Sequence, residues 1–253
     1  MFDVQNEILA TAKGTIVAAI PPTLSIYFSN LGIGNAYCGL QDDRFEITMN
    51  YGGLYILGSF FLTWILSDFY EFFYHRLGHT QKAFWNVHKH HHVYYNPTPF
   101  AVIADELADQ FMRALPLFLF PMLMPTNMDM LFGMYGVFFY MYGIYLHWGH
   151  ELEELSAHHP WINTSFQHYI HHAKSIMNKP YHSGFFFKIW DIWFDSLWPM
   201  EDDITGEKLK GCLCAHCCRQ RGERSREAWE KLDIPDYSEL LNWKIWIKSG
   251  KSI

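Results

Sequence analysis

Long stretches without Lys, Arg, Asp or Glu set the pattern of this chain. Between Lys13 and Asp42 lies an uncharged stretch broken by Pro21-Pro22; between Glu46 and Asp68 runs ITMNYGGLYILGSFFLTWILS; between Asp129 and Glu151 runs MLFGMYGVFFYMYGIYLHWGH. A helix that crosses the hydrocarbon layer needs about 20 mostly apolar residues, so the second and third stretches read as spans. The first reads as a kinked crossing helix or a re-entrant segment. A fourth, Ala114 to Met128, is short, but Phe111 and Met112 extend it beyond Arg113. Pro125-Thr126-Asn127 then forms a tight hairpin that returns the chain to the side it came from. The pattern predicts an all-α integral membrane bundle of about four transmembrane helices. A soluble protein carrying four such segments would have little polar surface to cover them.

Polarity changes near residue 200. Residues 1–200 read as a membrane-embedded domain, and 201–253 as a polar cytosolic tail without a catalytic motif. The chain has 253 residues, 50% of them hydrophobic and 18% aromatic, and a formal charge of −7. That charge gives no support for nucleic-acid binding. The start, MFDVQNEILATAKG, lacks the basic opening and small-residue cleavage site of a signal peptide, so uncleaved spans carry the targeting. Only Lys13 and Arg44 precede residue 70 among the basic residues, and the hairpin near Pro125 has none. Basic residues favour the cytosolic side, which places the histidine-rich segments and the C-terminus there. An even number of spans puts the N-terminus there too. Residues 185–198, FFFKIWDIWFDSLW, suit a helix lying in the membrane interface or packed on the catalytic domain.

Thirteen of the fifteen histidines fall in two windows, 75–92 and 147–172. His75 and His79 stand at i, i+4 in HRLGH; His88, His91 and His92 stand at i, i+3, i+4 in HKHHH; His168, His171 and His172 repeat that spacing in HYIHH. His147 ends the last apolar stretch, with His150 three residues on. Positions three and four apart share a helix face, so each cluster aims imidazoles at one point. Neutral imidazole is a common ligand for iron, zinc and copper. Eight to ten such ligands exceed the needs of one ion and predict two. Ionisable groups at a membrane boundary call for a functional explanation. His90 projects away from His88 and His92, His158 and His159 read as loop residues, His182 is open, and His216 is too far along the tail. Glu71, one turn before His75, is placed to accept an imidazole N–H and set its tautomer. Asp68 and Asp191 are candidates for the same role. The plainer alternative pairs these carboxylates with Arg76 or Lys188.

These boxes, with the brief interval between HRLGH and HKHHH and the aromatic segment around Trp190-Asp191, resemble the fatty acid hydroxylase superfamily of integral-membrane sterol desaturases and hydroxylases. The resemblance covers roughly residues 50–198. NPTPFAVIADELADQFMRALPLFLFP (96–121) looks like the corresponding region of the sterol C5-desaturases, or lathosterol oxidases. Two positions depart from that group: Pro180-Tyr181-His182-Ser183-Gly184 replaces an Asn-Tyr-Gly step, and HWGH (147–150) replaces a His-Asp-type sequence. These bear on the substrate and reaction and leave the metal cluster intact. The resemblance implies an endoplasmic-reticulum enzyme with non-haem di-iron and molecular oxygen. Its electrons would come from NAD(P)H through cytochrome b5 or a similar separate carrier. It maps His75, His79, His88, His91, His92, His147, His168, His171 and His172 onto metal-ligand positions, through which they would serve catalysis.

Removing hydrogen from an unactivated C–H bond is beyond any unaided side chain and requires a redox cofactor. Three functions follow. The first is desaturation of a sterol, at C5(6) in the leading case. The second is hydroxylation of a sterol or acyl chain. The third is a zinc-binding transporter or sensor without redox chemistry, against which the fixed helical spacing argues, since transporter loops tend to low complexity. Gly32-Ile-Gly34 lacks the context of a dinucleotide site. In the tail, CLCAHCC gathers Cys212, Cys214, Cys217 and Cys218 around His216, compatible with zinc, palmitoylation or plain reduced thiols.

Overall fold

The computed structural model of the chain describes residues 2–94, 97–149, 155 and 159–198, with the backbone of 200, 201, 208 and 209. Helix α1 (Phe2–Ala18) runs almost directly into α2 (Ile20–Asn30), where Pro21-Pro22 occupy the first turn. Proline is tolerated there because the first N–H groups of a helix have no intrahelical acceptor. A two-residue strand, β1 (Ala36–Tyr37), leads to α3 (Glu46–Thr80), the longest element at 35 residues. The short α4 (Lys82–His88), a turn at His91–Val93 and another at Pro99–Ile103 follow. Next come α5 (Leu107–Ala114), α6 (Pro116–Leu123), β2 (Thr126–Asn127) and α7 (Met128–Met134), which passes through a π-helical stretch into α8 (Tyr142–Leu146). Helices α9 (Ser165–Lys174) and α10 (Ile189–Trp193) complete the part that carries the histidines. Beyond it, Met200–Glu201 (β3) and Lys208–Leu209 (β4) form an antiparallel pair.

Among the described residues, two helical segments are long and apolar enough to cross a membrane: Val4–Asn30 and Glu46–Thr80. Four were expected. The other two legs are shorter: the first is interrupted at Leu115-Pro116 and the second is bulged between α7 and α8. Only 22% and 28% of the most apolar windows of the two long segments is buried. The core helix of a soluble protein would be mostly covered. Along α3 the usual pattern is inverted: Ser59, Thr63, Ser67, Asp68 and Glu71 face inward, whereas Leu54, Leu57, Phe61, Leu62, Ile65 and Leu66 are exposed. Small and polar residues between helices with apolar residues outward is the arrangement that suits a lipid surround.

The inward groups bind the other legs to α3. Tyr55 donates to the Pro125 carbonyl (2.7 Å), Tyr135 to Ser67 (3.0 Å) and Tyr70 to the Met112 carbonyl (2.7 Å). The hairpin at Pro125 is pinned further by the parallel pairing of β1 with β2, Ala36 opposite Thr126. A helix rises about 1.5 Å per residue. The hairpin level at Tyr55 and the histidine level at His75 are therefore roughly 30 Å apart, close to a bilayer's hydrocarbon thickness. The segment 185–198, expected as one helix, is helical only over Ile189–Trp193. Its first residues bend ahead of the helix, where the buried carboxylate of Asp68 accepts the Phe186 and Phe187 N–H groups and the Trp190 indole N–H.

Candidate metal centre

Two groups of imidazoles meet at one end of this assembly. His75, His79, His88, His92 and His171 form the first, and His91, His147, His168 and His172 the second; within each, one nitrogen per residue lies within 4.8 Å of all the others. All nine rings are buried except that of His92, which is nearly so. The sequence clusters are divided between the groups. Helix α4 ends at His88, so HKHHH leaves the helix before its last three histidines; His88 and His92 turn to the first group and His91 to the second. HYIHH stays helical on α9. Each residue there advances about 100°, so His172 lies about 40° to one side of His168 and His171 about 60° to the other, enough to send them to different groups. The helix α9 stands between the two groups and supplies both.

Acceptors behind the rings fix their tautomers. Nδ1 of His75 faces the Ser183 carbonyl (3.0 Å), that of His79 the Ile176 carbonyl (3.3 Å), that of His147 the Gly143 carbonyl (2.7 Å) and that of His171 the Tyr181 carbonyl (2.6 Å). Nδ1 of His88 lies 2.9 Å from Asp109 Oδ2, and Nδ1 of His91 lies 3.0 Å from Asp105 Oδ1. A carbonyl can only accept, so Nδ1 carries the proton and Nε2 presents a bare lone pair. Burial, first, and then the neighbouring histidines push His92, His168 and His172 well below the usual imidazole range. Burial thus favours in these three rings the neutral form that ligation requires.

These lone pairs are the test of whether a metal fits. The Nε2 atoms of His75 and His79 are buried without a hydrogen-bond partner. The Nε2 of His92 lies between those of His88 (3.2 Å) and His171 (3.1 Å), both of which are bare. One proton on His92 can serve only one of them. In the second group His147 and His168 bring their Nε2 atoms to 2.9 Å, and His168 and His172 to 3.2 Å. Adjacent nitrogens on an octahedral ion bound at about 2.1 Å stand about 3.0 Å apart. A cation in each group satisfies what protons cannot, and the all-nitrogen donor set suits iron, zinc or copper.

The carboxylates behind the rings differ from those expected. None of Asp68, Glu71 and Asp191 accepts from an imidazole. Asp68 binds the backbone described above, and Glu71 pairs with Arg113 (2.5 Å). Asp191 accepts the Ser183 and Gly184 N–H groups (2.9 and 2.8 Å), and so steadies at one remove the Ser183 carbonyl that holds His75. Asp109 accepts from His88 directly, whereas Asp105 lies close to His91 Nδ1 without the alignment of a hydrogen bond and pairs with Arg113 (3.0 Å). Burial would raise Asp109, but the His88 N–H and the charges around it hold it below the usual carboxylate range. Asp105 is pushed up to about 8 by burial, with Arg113 pulling it back; a cation beyond His91 would act in the same sense as Arg113. Asp105 lies ahead of α5 and Asp109 in its first turn, so no shared helix face marks the pair in the sequence.

The remaining histidines lie apart. His90 is half exposed, 3.7 Å from Glu106, and His159 accepts the Trp161 and Ile162 N–H groups in a loop. His182 is buried outside both groups and accepts the Trp198 N–H; burial pushes it down to about 3. His150, His158, His216 and the four tail cysteines fall outside the described residues. Gly78 of HRLGH has a steric reason: a Cβ there would stand 2.8 Å from the His88 ring.

Residues 60–196, which contain all nine ligand candidates, match the family model described as fatty acid hydroxylase. The chain belongs to that family. Its relatives include the lathosterol oxidase of Rattus norvegicus, 29% identical over 74% of this chain and 59% of that protein. Two Delta(7)-sterol 5(6)-desaturases also match. That of Gibberella zeae is 29% identical over 69% of this chain and 47% of its own length, and that of Eremothecium gossypii is 31% identical over 71% and 47%. The chain thus spans about half the length of the curated relatives it matches. No solved structure matches significantly. Membership of this family and two helices long and apolar enough to cross a membrane fit a membrane protein, and the histidine clusters are compatible with iron.

Proposed function

We propose that this protein is an oxygen-dependent, di-iron sterol desaturase, with C5(6) of the sterol nucleus as the leading site of oxidation. The observation that carries the reading is the pair of buried imidazole groups whose bare Nε2 atoms lack protons to share. His75, His79, His88, His92 and His171 would hold one iron, and His91, His147, His168 and His172 the other, with His150 a further candidate. Bound iron with molecular oxygen supplies the power to oxidise an unactivated C–H bond. The chain's part is to orient the ligands through Asp105, Asp109 and the carbonyls of Gly143, Ile176, Tyr181 and Ser183.

The basic residues concentrated in the histidine-bearing segments support a cytosolic site, in the endoplasmic reticulum by analogy with sterol-oxidising relatives. Electrons would then come from NAD(P)H through a separate cytosolic carrier such as cytochrome b5. Expression in sterol-producing cells that lack C5-desaturase tests the reading. Restored 5,7-dienes, abolished by His168→Ala, are expected. New hydroxysterols would move the assignment to hydroxylation. An unchanged profile with the protein iron-loaded and membrane-inserted would overturn it.

A further inference from the structure

Helix α1 lies outside the family match, which begins at residue 60, yet it is bound to the segment on which the second imidazole group rests. Glu7, Thr11 and Gly14 stand at i, i+4 and i+7 and so share one face of the helix. They meet residues 98–103 in order. The Glu7 carboxylate accepts the Thr98 N–H (3.3 Å at Oε1, 3.2 Å at Oε2) and the Thr98 hydroxyl. The Thr11 hydroxyl donates to the Phe100 carbonyl. A Cβ at Gly14 would collide with the Ile103 carbonyl oxygen, so glycine permits this close approach. Glu7 is the unusual member of the row. It is 0% exposed, and it lies near the start of Val4–Asn30, a segment long and apolar enough to cross a membrane. Burying a carboxylate is costly, and an ionisable side chain within such a segment is a mark of function.

The segment that Glu7 grips sets His147 from two sides. Thr98 opens the turn, its hydroxyl oxygen accepting the Phe100 N–H (3.3 Å) while the hydroxyl proton goes to Glu7. Just before it, the Tyr169 hydroxyl of α9 lies between the Pro97 and His147 carbonyls, 2.9 Å from the second. Further on, Val102 packs on Gly143 so closely that a Cβ there would collide with it. The Gly143 carbonyl in turn faces His147 Nδ1 at 2.7 Å. The first group is held from elsewhere: His75, His79 and His171 by the carbonyls of Ser183, Ile176 and Tyr181, and His88 by Asp109.

We propose that Glu7 is a positioning residue for the second imidazole group: by fixing Thr98 it holds the 97–103 segment against which His147 is set. Through His147 it supports the ion that His91, His147, His168 and His172 would bind, and it leaves the first group alone. The inference rests on the metal centre proposed above and is independent of which lipid is oxidised.

The experiment titrates ferrous ion anaerobically into the full-length protein in nanodiscs, in competition with a chromophoric chelator. His171→Ala and His168→Ala assign the two affinities to the first and second groups. Groups directly behind metal-bound imidazoles contribute about 10–100-fold to affinity. Glu7 acts from further back, so Glu7→Leu should weaken the second ion by about tenfold, the low end of that range, and leave the first unchanged. Thr98→Val, which removes the hydroxyl from the other side of the contact, should do the same, and it decides the matter if Glu7→Leu fails to fold. Glu7→Gln should retain the affinity, because a single oxygen, Oε2, receives both Thr98 donors. A loss in Glu7→Gln as large as in Glu7→Leu would assign the effect to charge and overturn the proposal. Unchanged affinity in Glu7→Leu and Thr98→Val overturns it too, as does an equal loss from both groups, which marks a role in stability alone. A wild type without a second ion would remove the two-ion reading and this inference together, whereas two ions in the wild type and in every variant remove the inference only.

Discussion

At the scale of single residues, the site depends on which nitrogen of each ring carries a proton. Asp109 is the most strongly placed of the groups that decide this. It is 1% exposed, 2.9 Å from His88 Nδ1, and it retains its charge despite burial. Carboxylates behind metal-bound imidazoles typically contribute 10–100-fold to metal affinity. Asp109→Leu should therefore weaken iron binding at the first group by roughly that factor, with a smaller loss in Asp109→Asn, which keeps an acceptor oxygen. Competition with a chromophoric chelator reads this directly, and unaltered affinity in Asp109→Leu would show that the carboxylate does not set the His88 tautomer. The sequence made the histidines visible because their spacing has a helical meaning. Their carboxylate partners were less legible. Glu71 is near His75 along α3, yet the face it occupies turns to Arg113 on α5. Asp105 and Asp109 reach the rings only because α5 folds back on α4, a contact across about 20 residues of chain that no local pattern announces.

At the scale of elements, α9 explains why three histidines in one box do not make one site. At about 100° per residue, His172 diverges from His168 by about 40° one way and His171 by about 60° the other, so His168 and His172 join one group and His171 the other; the capping box of Thr164 with Gln167 fixes where this helix begins. The expectation that each box aims at a single point holds for His75 and His79 on α3 but not for α9. It holds still less for HKHHH, where the helix stops at His88. The split has a stoichiometric consequence. His171→Ala should weaken the first ion selectively, and the double replacement His168→Ala with His172→Ala the second. In each case bound iron should fall from about two per chain toward about one, since the other group keeps its ligands. Metal analysis of the purified variants checks this. Loss of both ions from the His171 variant alone would mean that the two groups act as one cooperative site.

At the scale of the whole molecule, the deciding question is what covers the exposed apolar surface. The sequence reading anticipated four crossing helices because uncharged length was its only measure. Among the described residues two helices are of that kind, and two shorter legs pack against them, their length limited by the break at Leu115-Pro116 and by the bulge before Tyr142. What the apolar length did convey correctly is the nature of the surround. On α3, Leu57 and Phe61 are 54% and 48% exposed, one turn apart, while Ser59 and Thr63 point inward. In water such a stripe would be a liability that a single charge improves. In lipid a charge at the centre of a span costs about 2.5–3.5 kcal/mol on insertion scales, and two on one face more. Leu57→Lys together with Phe61→Lys should therefore sharply reduce the membrane-inserted fraction that resists alkaline extraction. The same two substitutions at Leu40 and Val93, exposed on loops outside the long helices, should leave it nearly unchanged. The comparison separates a lipid-facing stripe from ordinary surface hydrophobics, because both pairs add the same charge and remove similar apolar area. Full insertion of the Leu57/Phe61 variant would place that face of α3 against water or protein, and the route by which a bilayer lipid reaches the histidines would have to be sought along another face.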